Sequence, residues 1–166
     1  MSRLYRAAPP MLFLATAMGP VSAGVPHLDD PLRFFAGRTE SVSTIKVIAR
    51  KPYRSNTVGH GEIGADGALD LVQRVEEDGR PAFERRWRIR KIAPARFSGT
   101  MSEAKGSVTI DEIGGRFRFR FTTKSNFSVE QWLTPAADGR SARSVLMVRR
   151  LGLKVASSEG IVRRVE

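Results

Sequence analysis

Arg116-Phe117-Arg118-Phe119-Arg120-Phe121 follows directly on Gly114-Gly115, and its strict charged/aromatic alternation decides the fold. A helix would scatter the three phenylalanines around its girth. A β-strand, with a side-chain period of two, puts them on one face and the three arginines on the other. The segment reads as a half-buried antiparallel strand, aromatic on the inside and cationic on the outside. Phe83-Glu84-Arg85-Arg86-Trp87-Arg88-Ile89-Arg90 repeats the logic, with Phe83, Arg85, Trp87 and Ile89 on one face and Arg86, Arg88 and Arg90 on the other.

Working outward, turn signals recur roughly every 8 to 14 residues from Thr39 onward. They fall near Pro52 to Asn56, Gly64 to Gly67, Asp78-Gly79, Ala93-Pro94, Ala104 to Gly106, Gly114-Gly115, Ser125-Asn126, Ala137 to Gly139 and Gly152. Asp-Gly and Gly-Gly pairs supply the positive φ that tight hairpins demand. Eight to ten consecutive strands are expected, with no long helix. Such a meander closes most simply into an all-β, up-and-down antiparallel barrel, and a two-sheet sandwich is the alternative. Before it, Asp30 suits a helix N-cap, Pro31 the first helical position and Gly37 the stop. That predicts one or two helical turns whose Phe34 or Phe35 plugs something apolar.

The N-terminus reads as a targeting segment. Arg3 and Arg6 precede the apolar run Met11 to Met18, Pro20 ends it, and Val21-Ser22-Ala23 offers small residues at a cleavage site. The run is too short to cross a bilayer, which needs about 20 apolar residues. The expected layout is a signal peptide over 1–23, a lead segment with the short helical turn over 24–38, and the barrel over 39–166. Cleavage after Ala23 and a periplasmic location follow.

The chain of 166 residues has 28 basic and 17 acidic residues, a formal +11. Taking Arg3 and Arg6 away leaves 26 against 17, or +9, so the charge belongs to the domain that follows. With no cysteine, disulfides, thiolate nucleophiles, Cys-ligated metals and lipidation of a terminal Cys are excluded.

Leu69-x-Leu71, Glu76-Glu77-Asp78-Gly79 and Arg85-x-Trp87-x-Ile89 together resemble the bacterial domain of unknown function 3833 family. So do Phe34-Phe35-x-Gly37, Trp132 in a late strand, and Arg150-Leu151-Gly152-Leu153-Lys154-Val155. The resemblance implies a lipocalin-like barrel exported to the bacterial envelope, with no established activity. The chain departs from the family in lacking a lipoprotein Cys and in carrying Gln73 where an acidic residue is usual.

The candidate interior site is Arg85, Trp87, Phe117, Phe119, Phe121 and Trp132. An inward Arg85 must find an anion, because an unpaired buried guanidinium costs several kcal/mol. That anion is either the head group of a bound fatty acid or amphiphile, or an internal carboxylate; a bulge turning Arg85 outward is the third option. The aromatic residues, Phe97 and Phe127 included, serve equally as a packed core or as cavity walls. The outer stripes Arg86, Arg88, Arg90 and Arg116, Arg118, Arg120 suit an anionic membrane surface in an exported protein, and nucleic acid is not expected there. Simple solubility is their alternative role. His60 and Glu62 share a strand face and read as a solvated pair, two ligands being too few for a metal site. No Gly-x-Ser-x-Gly, His-Glu-x-x-His, P-loop or dinucleotide fingerprint occurs, so no catalytic residue, metal or cofactor is assigned. The leading function is non-catalytic binding of a lipid-like molecule. An adaptor with a filled barrel comes next, and an enzyme using His60 or Arg85 last.

Overall fold

The computed structural model describes residues 30–165. The expected signal peptide, its cleavage site after Ala23 and residues 24–29 of the lead segment lie outside the described residues. Ten antiparallel strands follow one short helix, α1 (Pro31–Phe35). The strands are β1 (Gly37–Val47), β2 (Tyr53–Ile63), β3 (Leu69–Glu77), β4 (Phe83–Ala93), β5 (Arg96–Met101), β6 (Val108–Ile113), β7 (Arg116–Thr122), β8 (Ser128–Pro135), β9 (Ser141–Arg150) and β10 (Leu153–Val165). Each pairs with its neighbours in sequence, and β10 returns to β1 to close the barrel. The closing seam runs from Arg38 opposite Val165 to Val47 opposite Ala156, so the sheet keeps no free edge. The expected barrel is the observed one.

Local chemistry explains the elements. The Asp30 side chain accepts from the Leu32 N–H at 2.8 Å, Pro31 opens the helix, and the chain turns out of it through Gly37 at φ 88°. Both Phe34 and Phe35 are buried, edge to face at 5.0 Å. Turns fall where the Gly, Asp, Asn and Pro signals place them, with one exception. The first hairpin turns at 48–52, so Asn56 lies within β2, opposite Val42 of β1.

Leu151 and Gly152 form a two-residue hairpin loop, with φ 49° and 81°. Gly adopts that conformation freely, whereas a bulky Leu there costs on the order of 1–2 kcal/mol. Leu151 is also 95% exposed.

The interior has two zones. Toward α1, Leu32, Phe34, Leu69, Ile89, Phe97, Val108, Ile110 and Phe117 fill the barrel. Toward the other end, where the turns at 48–52, 78–82, 102–107, 123–127 and 151–152 cluster, it is open. The helix seats against β2 and β3 because Gly61 has no side chain: a Cβ there would collide with the Phe35 carbonyl oxygen. Gly61→Ala is expected to lower unfolding free energy by about 1–3 kcal/mol through forced overpacking, checked by urea denaturation. An unchanged midpoint would show that α1 does not rest on this contact.

Candidate functional site

A cavity of about 370 Å³ occupies the open half of the barrel, floored by Phe35. Its two walls differ in chemistry. Side chains from β3, β4, β7 and β8 make the apolar wall, where Trp87 is met edge to face by Phe119 at 6.4 Å and by Phe121 at 6.1 Å. Opposite, β1, β2, β9 and β10 present Ser41, Ser43, Ser55, Thr57, Ser144 and Ser158. Two amides complete the lining. Gln73 accepts from the Trp87 indole N–H at 2.8 Å, and Gln131 donates to the Ser144 hydroxyl at 2.8 Å. The indole is thereby fixed in one orientation.

The hollow has a definite origin. Midway along β1 and β10 the usual inside/outside pattern is locally inverted: Ser41, Ser43 and Ser158 point inward beside Gly160, while Val42 and Ile161, 47% and 46% exposed, pair on the outside. Small inward side chains leave volume that a barrel of ten strands cannot fill.

Arg85 stands at the mouth, half-buried, beneath the Phe83 ring at 5.6 Å. Its anion is Glu103, with Nε donating to Oε1 at 2.9 Å. Of the expected alternatives, the internal ion pair is therefore the one present. Glu77 and Arg80 pair at 2.8 Å on the same rim, and the Arg80 guanidinium lies 5.2 Å over Tyr53. Burial, reinforced by the Glu77 charge, pushes the Tyr53 hydroxyl pKa up.

Of the expected interior residues, Arg85, Trp87, Phe119 and Phe121 line the cavity. Phe117 points inward but lies below it, 1% exposed and packed on Phe97 at 6.4 Å. Trp132 is a correction. It pairs across the sheet with Arg118, on the opposite face from its neighbours Gln131 and Leu133, and so projects from the outer wall. There Arg116 and Arg118 stack on its ring at 4.6 and 5.7 Å. Phe127 also lies outside the cavity, in the turn before β8, under the Arg150 guanidinium at 5.3 Å. His60 and Glu62 sit 3.6 Å apart on the outer face, 68% and 80% exposed. Arg85, His60 and a carboxylate do not share a cleft.

The outer arginines project from the wall, and most are engaged there. Arg86 pairs with Glu84 at 2.6 Å, and Arg88 with Asp66 and Asp70. Arg118 and Arg120 converge with Arg96 on Asp111. Burial pushes the Asp111 carboxyl upward, but hydrogen bonds from Arg118 and Arg96, with the charge of Arg120, outweigh it and hold its pKa below the usual value. The hydroxyl wall, Glu103 and Asp111 were not anticipated from the sequence. The signal for the first was the Ser-x-Ser spacing of β1 and the Ser157-Ser158-Glu159-Gly160 run of β10.

No family model matches the chain, and no curated protein matches it. Solved structures do. The S-type phycobiliprotein lyase CpeS of Guillardia theta superposes with a TM-score of 0.67 at 10% identity, covering 81% of this chain and 90% of that one. A protein of unknown function from the DUF3598 family of Nostoc punctiforme gives 0.60 at 13% identity, over 86% of this chain and 53% of that one. At such identities the likeness establishes the fold alone, a lipocalin-like barrel.

A carboxylate held below its ordinary pKa stabilises the fold above the unfolded value, near 3.9, and ceases to as pH falls through the folded value. Asp111→Asn should therefore cost about 1–2 kcal/mol at neutral pH, and the deficit should shrink below about pH 4, as measured by denaturation against pH. A pH-independent deficit would contradict the assignment.

Proposed function

We propose that the chain is an exported, non-catalytic binding protein of the bacterial envelope, kin to the domain of unknown function 3833 family, whose barrel takes up an amphiphilic, lipid-like molecule. The observation that carries this reading is the cavity of about 370 Å³ with an aromatic wall facing a hydroxyl wall. Pockets of a few hundred cubic ångströms with a few placed polar groups suit small molecules. A filled barrel acting only as an adaptor is the weaker reading, since half of this interior is open.

The two walls narrow the ligand class. Trp87, Phe119, Phe121 and Met101 offer contact to hydrocarbon or a ring face. Along the other side, inward hydroxyls that a ligand would cover reward a partner bearing oxygens and penalise a bare alkyl chain that leaves them unmatched. A molecule with one apolar flank and one oxygenated flank fits both, and Arg85 at the mouth suits an acidic head group that competes for it with Glu103. Export is supported by the residues before 24 alone, and purification of the protein with Gly24 at its N-terminus would bear it out. The structural neighbours support the fold, and the ligand class rests on the pocket itself.

The chain has two tryptophans, so Trp132→Phe leaves Trp87 as the only indole reporter inside the barrel. Titration of that variant with a hydroxylated long-chain fatty acid should change Trp87 emission at micromolar concentrations, more tightly than with the unsubstituted acid. Ser43→Phe, which projects a ring into the hollow, should weaken binding at least about tenfold, near 1.4 kcal/mol, while retaining the barrel's circular dichroism. Silence of Trp87 to both acids, together with no lipid extracted from protein purified from its own envelope, would overturn the reading.

A further inference from the structure

The three most exposed large apolar side chains of the described residues are Leu151 at 95%, Leu153 at 72% and Ile48 at 65%. They fall together. Ile48 leaves β1 where its N–H donates to the Val155 carbonyl at 3.0 Å, so the turn at 48–52 stands beside the β9–β10 hairpin. Both belong to the open end of the barrel. Around them are Lys46, Arg50, Lys51, Arg54, Arg149, Arg150 and Lys154, and residues 46–54 and 149–155 contain no Asp or Glu.

These cations differ from those of the wall. Arg86, Arg88, Arg118 and Arg120 are each held by a carboxylate. Lys46, Arg50, Lys51, Arg149 and Lys154 have no carboxylate partner among the described residues. Apolar tips ringed by uncompensated positive charge match an anionic bilayer, with leucines entering the acyl boundary and cations at the head groups.

We propose that the open end docks on anionic phospholipid through these two turns, with Leu151, Leu153 and Ile48 inserted and the surrounding lysines and arginines at the phosphates. Val47, Val148 and Ala156 line the cavity and lie within a few residues of the inserted side chains, so docking sets the cavity mouth on the bilayer. The surface involved is the rim and not the arginine stripes of the wall. Its docking does not depend on what the cavity holds.

The chain has no cysteine, so single-Cys variants can be labelled uniquely with an environment-sensitive fluorophore. Full-length Leu151→Cys is compared with Ile113→Cys, whose label sits at the opposite end. With phosphatidylglycerol–phosphatidylcholine vesicles the label at 151 should shift to the blue, and the label at 113 should not. Vesicles of phosphatidylcholine alone should leave both unmoved. Adding Arg149→Glu and Lys154→Glu should weaken the titration at least about tenfold, each basic residue near such a surface contributing roughly fivefold. A label at 151 that stays in water, an equal shift at 113, or an equal response to neutral vesicles would each overturn the proposal. Attachment through the N-terminal segment alone falls in the first of these outcomes.

Discussion

Closure of the sheet imposes one constraint from which the other features follow: every second residue of every strand must point inward. Once β10 pairs with β1, no strand can slide or flip without turning its whole inner set to solvent. The volume of those inner residues then fixes whether the barrel is solid or hollow. On β7 they are phenylalanines: Phe117 packs into the solid half toward α1, while Phe119 and Phe121 wall the cavity. On β1 and β10 they include Ser41, Ser43, Ser158 and Gly160, and the interior beside them is open. Hollow and core are two outcomes of one geometry.

The same parity organises the charge. On the outer wall, arginines alternate with inward aromatics and find carboxylates across neighbouring strands, as Asp111 does for Arg96, Arg118 and Arg120. At the open end the chain leaves the sheet, and among the described residues pairing is confined to Arg80 with Glu77 and Arg85 with Glu103. There the cations outnumber their partners and apolar tips stand out. A local violation of the usual rule, polar within and apolar without, marks both the cavity wall and the rim, and such violations concentrate where a structure serves something other than its own stability.

Much of this was legible in the sequence. The alternation in Arg116 to Phe121 fixed β7 and its faces, and the Asp30-Pro31 cap placed α1, because period-two patterns and caps are local. The turn chemistry located all hairpins but the first, where Ala49 at φ 59° takes a turn position that no Gly announces. Aromatic character suggests an inward Trp132, but parity overrides it: Leu133 beside it takes the inside, opposite Phe117. The hydroxyl wall escaped for the opposite reason: hydrophobicity points Val42 and Ile161 inward, and only barrel closure and register turn Ser43 and Ser158 to the interior. Glu103 pairs with Arg85 from a loop 18 residues away, a contact that no spacing rule predicts.

The claim on which this account stands is that the space beside Ser158 is truly open. Equilibrium unfolding of Ser158→Leu tests it directly, since the new side chain enters the cavity between Ile45 and Leu146. In an open interior the added hydrocarbon is buried without displacing neighbours, and stability should hold or rise, at about 25 cal/mol per Å² of apolar surface removed from water. A loss of about 1–3 kcal/mol, the mark of overpacking, would contradict the hollow barrel.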